Sequence, residues 1–399
     1  MSANLIKLCT ITLLNFLSIG LLIPVLTPHL LELGASYAVV GSSNAFRDIV
    51  NVLAGPVVGS WSDLKGTKYV VFVTLTIATI CRLAIGLTTS LAVVFVLNTV
   101  MALFEHTPIL SKTLICDVIP KEKQDLAYST TGVMVAIGFI IGPVIGGYLS
   151  ITENGFFYVC LANAVSNIII IGITQTFPEK AVTKKEKKPA YPKNAFLNIF
   201  VELFEVDWKT FGDVFLLRFC LGFGVMSCFS NEMVYFHDEY NVSPKYVGFI
   251  IASIGVFGII ATISMSYIQF IFYKNDEKSS KFLLHQYIIL AVSLILAYLI
   301  PNLNVLVAVL VIVSLVNTMS SLVTMNVLQK RGTDETRGSL TAVSESVITM
   351  GSSFGQLNSG LIASYFGKKS VFLTAHLSAL LGVFICFNLN KEKNPTKKD

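Results

Sequence analysis

Glu105 and His106 stand side by side inside an apolar run, and Arg47, Asp48, Arg218 and Glu345 interrupt others. Placing an ionisable side chain in hydrocarbon costs about 2.5–3.5 kcal/mol on insertion scales, so each such group is a candidate for function. A carboxylate in surroundings of low dielectric can take up and release a proton, and histidine titrates in the physiological range. Glu105 lies roughly 21 Å into its run at 1.5 Å per residue, beyond a bilayer midplane. Two chemistries fit it: a proton carrier, with Pro108 bending the helix nearby, or half of a buried ion pair with Arg82 or Arg47. Arg47 and Asp48 are adjacent and so lie on different sides of a helix, and each is expected to seek a partner on another helix. Arg218 is placed either to attract an anion or to snorkel to a membrane boundary. Glu345 either pairs or couples an ion, and His376 reads as a packing residue. Softer groups accompany these: Asn15, Ser227, Asn231, Glu232, Asn317, Thr318, Ser320, Ser321, Thr324 and Asn326, with Phe229 and Tyr235. They suit a cavity for a moderately polar organic molecule, and helix–helix hydrogen bonding explains them equally well.

The elements that must position these groups are membrane helices. Of 399 residues 54% are hydrophobic and 13% charged, against about 25% charged in ordinary soluble domains. A spanning helix needs about 20 apolar residues, and twelve such runs occur, near 5–31, 38–61, 67–89, 91–116, 125–150, 155–176, 211–236, 245–272, 281–300, 303–328, 339–364 and 370–390. The expected class is an all-α membrane protein of twelve transmembrane helices. With an even number of spans both termini share a side. That side holds 23 of the 29 Lys and Arg, which by the positive-inside rule makes it cytoplasmic. The net charge of +5 is therefore topological, and nucleic acid is not an expected partner. The first run is too long for a cleavable signal core and lacks a small-residue cleavage site. The seven cysteines lie in or at the ends of spans, without metal or CxxC spacing. No nucleophile elbow, zinc-ligand spacing or phosphate loop is present, so neither an enzyme nor a cofactor or metal is expected. Asn241-Val-Ser243 is a glycosylation sequon in the loop after span seven, and Pro244 weakens it. The sequence does not separate a plasma from an endolysosomal membrane.

The chain reads as two halves. A basic segment from Phe177 to Lys209 separates residues 1–177 from 211–399. Its later part is amphipathic, with Asn198, Glu202, Glu205 and Lys209 on one face, as in a helix lying on a membrane surface. The expected domains are thus 1–177, a cytoplasmic linker at 178–210, and 211–399. The halves also repeat: a shift of 213 residues brings Gln124 onto Arg337, Gly138 onto Gly351, Gly142 onto Gly355 and Gly147 onto Gly360. Six plus six spans related by repetition is an architecture of transporters.

Three local patterns point to a known family. Gly59, Asp63, Gly66 and Lys68 form a loop pattern after span two, Asp117-Val-Ile-Pro120 ends span four, and Gly138, Gly142, Pro143, Gly146 and Gly147 crowd span five. Together they resemble the Major Facilitator Superfamily over nearly the whole chain, and in particular its drug:proton antiporter branch, which includes tetracycline exporters. Orphan animal transporters of that branch are similar in overall pattern. The resemblance implies a secondary transporter moving a small organic solute, a monomer in the bilayer, with protons as the exchanged ion. The first loop would latch the cytoplasmic side against span eleven: Gly59 would permit close helix approach and Asp63 would accept hydrogen bonds from a helix N-terminus. The span-five glycines would pack against Gly248, Ser253, Gly255 and Gly258 of span eight. Spans one, four, seven and ten would line the cavity.

Two parts depart from that branch. Where many members carry an Asp in span one this chain has Asn15, and where they carry an Arg in span four it reads Asn98 to Glu105. Glu105 and His106 are the replacements nearest to hand. A non-transporting receptor or scaffold on the same fold, or an uncoupled facilitator, is the alternative.

Overall fold

In hydrocarbon an apolar run of 20–30 residues satisfies its backbone only by closing every hydrogen bond within itself, and the chain is helical accordingly. The computed structural model describes residues 3–178, 208–230, 232–274, 276, 279–332 and 337–391. The first half contains α1 (Ala3–Glu32), α2 (Tyr37–Lys65), α3 (Thr67–Leu87), α4 (Leu91–Phe104), α5 (Thr107–Val118), α6 (Gln124–Leu149) and α7 (Gly155–Gln175). The second contains α8 (Trp208–Phe229), α9 (Glu232–Tyr240), α10 (Pro244–Phe272), α11 (Ser280–Leu299), α12 (Leu303–Arg331), α13 (Arg337–Phe366) and α14 (Ser370–Lys391). Ten described segments are long and apolar enough to cross a membrane, with α4 and α5 taken together as one. Helices α2 and α13, at 29 and 30 residues, have the length and are more polar. They complete the twelve expected spans. Most of the expected linker and amphipathic helix, residues 179–207, lies outside the described residues.

A proline inside a span does not by itself break it, although the break in span four falls just before Pro108, which has no N–H to offer the Phe104 carbonyl. Helix α1 continues through Pro24 and Pro28, α2 through Pro56 and α6 through Pro143. The interruptions fall in span four, between Phe104 and Thr107, and in span seven, where α8 ends at Phe229 and Ser230 is a bend.

Two compact units form. One takes the described parts of Met1–Ala35, Phe46–Asn198 and Asn241–Ala252, the other those of Ser36–Ala45, Ile199–Tyr240 and Ser253–Asp399. Each unit therefore includes the first turns of a helix that belongs in sequence to the other half: α10 in the first, α2 in the second. Apolar burial gains little between helices already in lipid, so packing rests on close approach at small residues. In the first unit α6 lies on α1. A Cβ on Gly138 would stand 2.8 Å from Leu17 N, one on Gly142 2.7 Å from Leu17 O, and Gly146 meets Leu21 in the same way. Gly147 alone of that run turns to α10, 2.6 Å from Pro244 O by the same measure, and Gly248 answers against Pro143. The expectation that the span-five glycines face span eight is corrected: most face span one, because their i, i+4, i+8 spacing makes one stripe and Gly147 sits off it. Gly258 lies beside Ser314 and Thr318 of α12. In the second unit the pattern recurs at the repeat distance, with Gly351 and Gly355 on the backbone of Phe219 and Phe223 in α8, and Gly360 on Tyr37 and Gly41 of α2.

Candidate functional site

The interruption of span four puts Glu105 and His106 in the chain's non-helical joint. Glu105 has φ −80° and ψ 68°, His106 φ −113° and ψ 24°, and Pro108 opens the first turn of α5, where its missing N–H is no loss. The end of α4 leaves carbonyls without helical partners. Asn51 of α2 takes two, its Nδ2 donating to Ala102 O at 3.2 Å and Glu105 O at 3.5 Å. Glu105 Oε1 stands 3.8 Å from Nη2 of Arg82, an ion pair whose arginine is buried while the Glu105 side chain is 29% exposed. His106 is 2% exposed and its Nε2 has no hydrogen-bond partner among the described residues. The amide nitrogen of buried Asn15 is likewise unpartnered.

Arg47 departs from its expectation by pairing with its own neighbour. Nη2 of Arg47 lies 3.5 Å from Oδ1 of Asp48 within α2 itself. A guanidinium on three methylenes is long enough to swing round the helix to the next residue, and the two side chains lie 42% and 22% exposed rather than sealed among other helices.

Arg218 does not snorkel. It is 1% exposed in the interior of the second unit. Its Nη2 donates to Glu345 Oε1 at 2.9 Å, Nη1 to Ser321 O at 3.2 Å and Thr324 Oγ1 at 3.3 Å, and Nε to Ser344 O at 3.4 Å. One side chain thus joins α8, α12 and α13. The Glu345 carboxylate is held on that arginine while its side chain stays 60% exposed. Ser227 donates to Gly355 O, and Asn358 to Ser227 and Thr374, so several polar groups of span seven and its neighbours make helix–helix bonds. Nδ1 of His376 donates to Ala291 O at 2.8 Å, a helix–helix hydrogen bond.

Glu232 differs from all of these. It opens α9 after the break in span seven, is 4% exposed, and neither carboxylate oxygen has a hydrogen-bond partner among the described residues. It lines a small cavity with Tyr37, Cys228, Tyr235, Ser359 and Lys368. Two of the lining residues are tied to Asp238, which accepts from the Tyr37 hydroxyl at 2.5 Å and from Lys368 Nζ at 2.6 Å, and His237 Nδ1 lies 3.1 Å from it. Partial burial pushes the Asp238 carboxyl up, but the bonds from Lys368, Tyr37 and His237 outweigh it and bring it down to about 2. Burial pulls Lys368 down, and its bond to Asp238 more than restores it, so its ammonium is held above the usual range. The sequence carried a signal for Glu232 that its grouping with softer polar residues passed over: Ser230 and Asn231 before a Glu mark a helix start inside an apolar run. It carried none for Tyr37, Asp238 and Lys368, which are far apart in the chain.

The loop after span two divides its labour. Gly66 has φ +87°, a backbone only glycine adopts readily, and makes the turn into α3. Lys68 Nζ donates to Phe177 O at 2.7 Å beyond the end of α7, beside Lys7, which donates to Thr176 O. Thr67 donates to Asp117 Oδ2 at 2.8 Å, tying α3 to α5. Asp63 is exposed, and a Cβ on Gly59 would meet nothing within 4 Å among the described residues.

A profile of the Major Facilitator Superfamily matches residues 8–274. The chain belongs to the Major Facilitator Superfamily. Quinolone resistance protein NorA of Staphylococcus aureus (strain N315) is 25% identical over 248 residues, covering 61% of each chain. Multidrug resistance protein 1 of Bacillus subtilis (strain 168) is 25% identical over 252 residues, 62% of each. The chain thus spans rather less than two thirds of the length of these curated relatives. A bacterial homologue of the human lysosomal transporter Spinster, in an inward-facing and unoccupied conformation, superposes with a TM-score of 0.78 at 15% identity, over 99% of this chain and 98% of that one. That likeness establishes the Major Facilitator fold of two six-helix bundles, and the chain is a multi-pass integral membrane protein.

Proposed function

We propose that this Major Facilitator chain is a secondary transporter, moving a small organic solute by alternating access in exchange for protons. The observation that carries the reading is the broken fourth span. Its joint presents Glu105 in a loose ion pair with Arg82, and His106 with an unpartnered ring nitrogen. Interrupted spans bearing ionisable groups near mid-membrane are how transporters of several folds build substrate and ion sites. The names of NorA and the Bacillus relative, which speak of quinolone and multidrug resistance, support a drug-like organic solute. In this reading Lys68 anchors α3 to the end of α7, leaving exposed Asp63 to make the latch contact, and the protein works as a monomer with cytoplasmic termini.

The test is flux in proteoliposomes with an imposed pH gradient, using organic cations, anions, sugars and neutral lipophiles. We expect gradient-driven movement of at least one class, and Glu105→Gln to lose most of the gradient dependence. No flux of any class would sink transport. Unchanged gradient dependence in Glu105→Gln would remove Glu105 as a carrier.

A further inference from the structure

Glu232 is the one buried carboxylate in the described structure that neither an arginine nor a hydrogen-bond donor accounts for. Its two oxygens are sealed from solvent and unpartnered at the joint of span seven. The charged and titratable groups facing it can be named element by element. Cys228 comes from α8 and Tyr235 from α9 itself; Tyr37 comes from α2, and Lys368 from the turn before α14. Helix α13 contributes the hydroxyl of Ser359, and α14 only apolar side chains. Lys368 is the one cation among these groups, and its ammonium lies 2.6 Å from Asp238, which neutralises it. Among the described residues an ionised Glu232 would therefore have no counter-ion and no fixed donor, an arrangement proteins avoid by taking up a proton. The cavity beside it has room for a water molecule. Such a water could accept the acid's O–H and pass its proton on.

We propose that Glu232 is a proton-binding site, loaded from the membrane face opposite the termini when the Tyr37–Asp238–Lys368 cluster opens. Asp238, already bound by three donors, is a positioning residue: it holds Lys368 and Tyr37 across the cavity mouth and is not the carrier. The class of ligand follows from the donor set. One carboxyl, one thiol and three hydroxyls, two of them on tyrosines, with the Lys368 ammonium among them, make a poor shell for a metal cation, whereas a proton needs only the carboxylate and a water. The inference rests on the transporter reading solely for what the proton does next. The site would give a proton-binding carboxyl to a chain that has Asn15 where the resemblance implies an aspartate.

The test needs no substrate. The full chain in lipid nanodiscs is treated with dicyclohexylcarbodiimide, which modifies protonated carboxyls in apolar surroundings, and modification of Glu232 is followed by mass spectrometry from pH 6 to 9, with Glu232→Gln as the blank. We expect Glu232 to be modified at neutral pH and the rate to fall about tenfold per pH unit above its midpoint. Lys368→Ala should raise the rate severalfold by opening the mouth; if that variant misfolds, Tyr37→Phe removes one tie more gently and should act in the same direction. Three results would overturn the proposal: no modification of Glu232 in either the parent or the opened variants, a rate independent of pH, or protection by sodium at constant pH. Labelling without flux would uphold the proton site and sink the transporter reading; flux without labelling would do the reverse.

Discussion

Removing the Arg218 guanidinium would strip donors from four acceptors at once, two of them backbone carbonyls. Arg218→Ala is therefore expected to cost about 3–5 kcal/mol, as when one partner of a buried ionic network is deleted. Glu345→Gln leaves the other three bonds, and its side chain is largely exposed, so a loss of about 1 kcal/mol or less is expected. Thermal unfolding in detergent compares the two, and equal losses would contradict Arg218 as the anchor of three helices. Asp238 gives a pH prediction. Its folded carboxyl is more acidic than an unfolded one, so its stabilisation is fully present above about pH 4 and disappears as pH falls through about 2. Lys368 is shifted up, so its contribution holds below about pH 10 and is lost only as pH rises through its folded value. Asp238→Asn should thus lower the unfolding midpoint by the same amount at pH 5.5 and 7.5. A different loss at the two values would show that a group of the outer cluster, Asp238 or the His237 beside it, titrates in that window.

Helix α6 touches α1, and α13 touches α8, through backbones brought together at glycines. Any larger side chain must push the pair apart, and overpacking of a close interface costs about 1–3 kcal/mol or more. Gly142→Leu and its repeat counterpart Gly355→Leu are expected to destabilise by similar amounts, read from unfolding midpoints; a large loss at one and none at the other would deny the repeat's structural equivalence. Gly59 is the contrasting case. A methyl group there meets nothing within 4 Å among the described residues, and alanine is favoured over glycine within a helix by about 1 kcal/mol. Gly59→Ala should hold or raise stability. If it also slows flux, the glycine is needed in a conformation other than this one, as a latch requires; unimpaired flux would take Gly59 out of the latch. Asn51 belongs to this scale too, since it satisfies the carbonyls that the joint after Phe104 exposes. Asn51→Ala is expected to loosen the joint, read as faster hydrogen exchange at the amides of Glu105 and His106.

For the molecule as a whole, binding of a transported solute should raise the unfolding midpoint by mass action, by about 2.7 kcal/mol at a hundred times its dissociation constant. A ligand whose effect differs between pH 5.5 and 7.5 would tie binding to a titrating group. Failure of the difference to vanish in both Glu105→Gln and Glu232→Gln would exclude these two as that group.

What the amino-acid order determined alone is the set of features written in composition and period. Twelve runs of spanning length follow from the separation of apolar from charged residues, because lipid admits no other backbone solution. The repeat at 213 residues is likewise visible without coordinates, and its glycines do pack alike in both units. Partners across helices were not legible, because spacing along one helix gives a stripe without saying which neighbour fills it. Thus the span-five glycines met span one rather than mainly span eight. Arg47 reached back to Asp48, and Arg218 was drawn inward by acceptors from two distant helices. Only the tertiary structure could single out Glu232. In sequence it is like any membrane-embedded glutamate, and what sets it apart is that no described neighbour would let it stay charged.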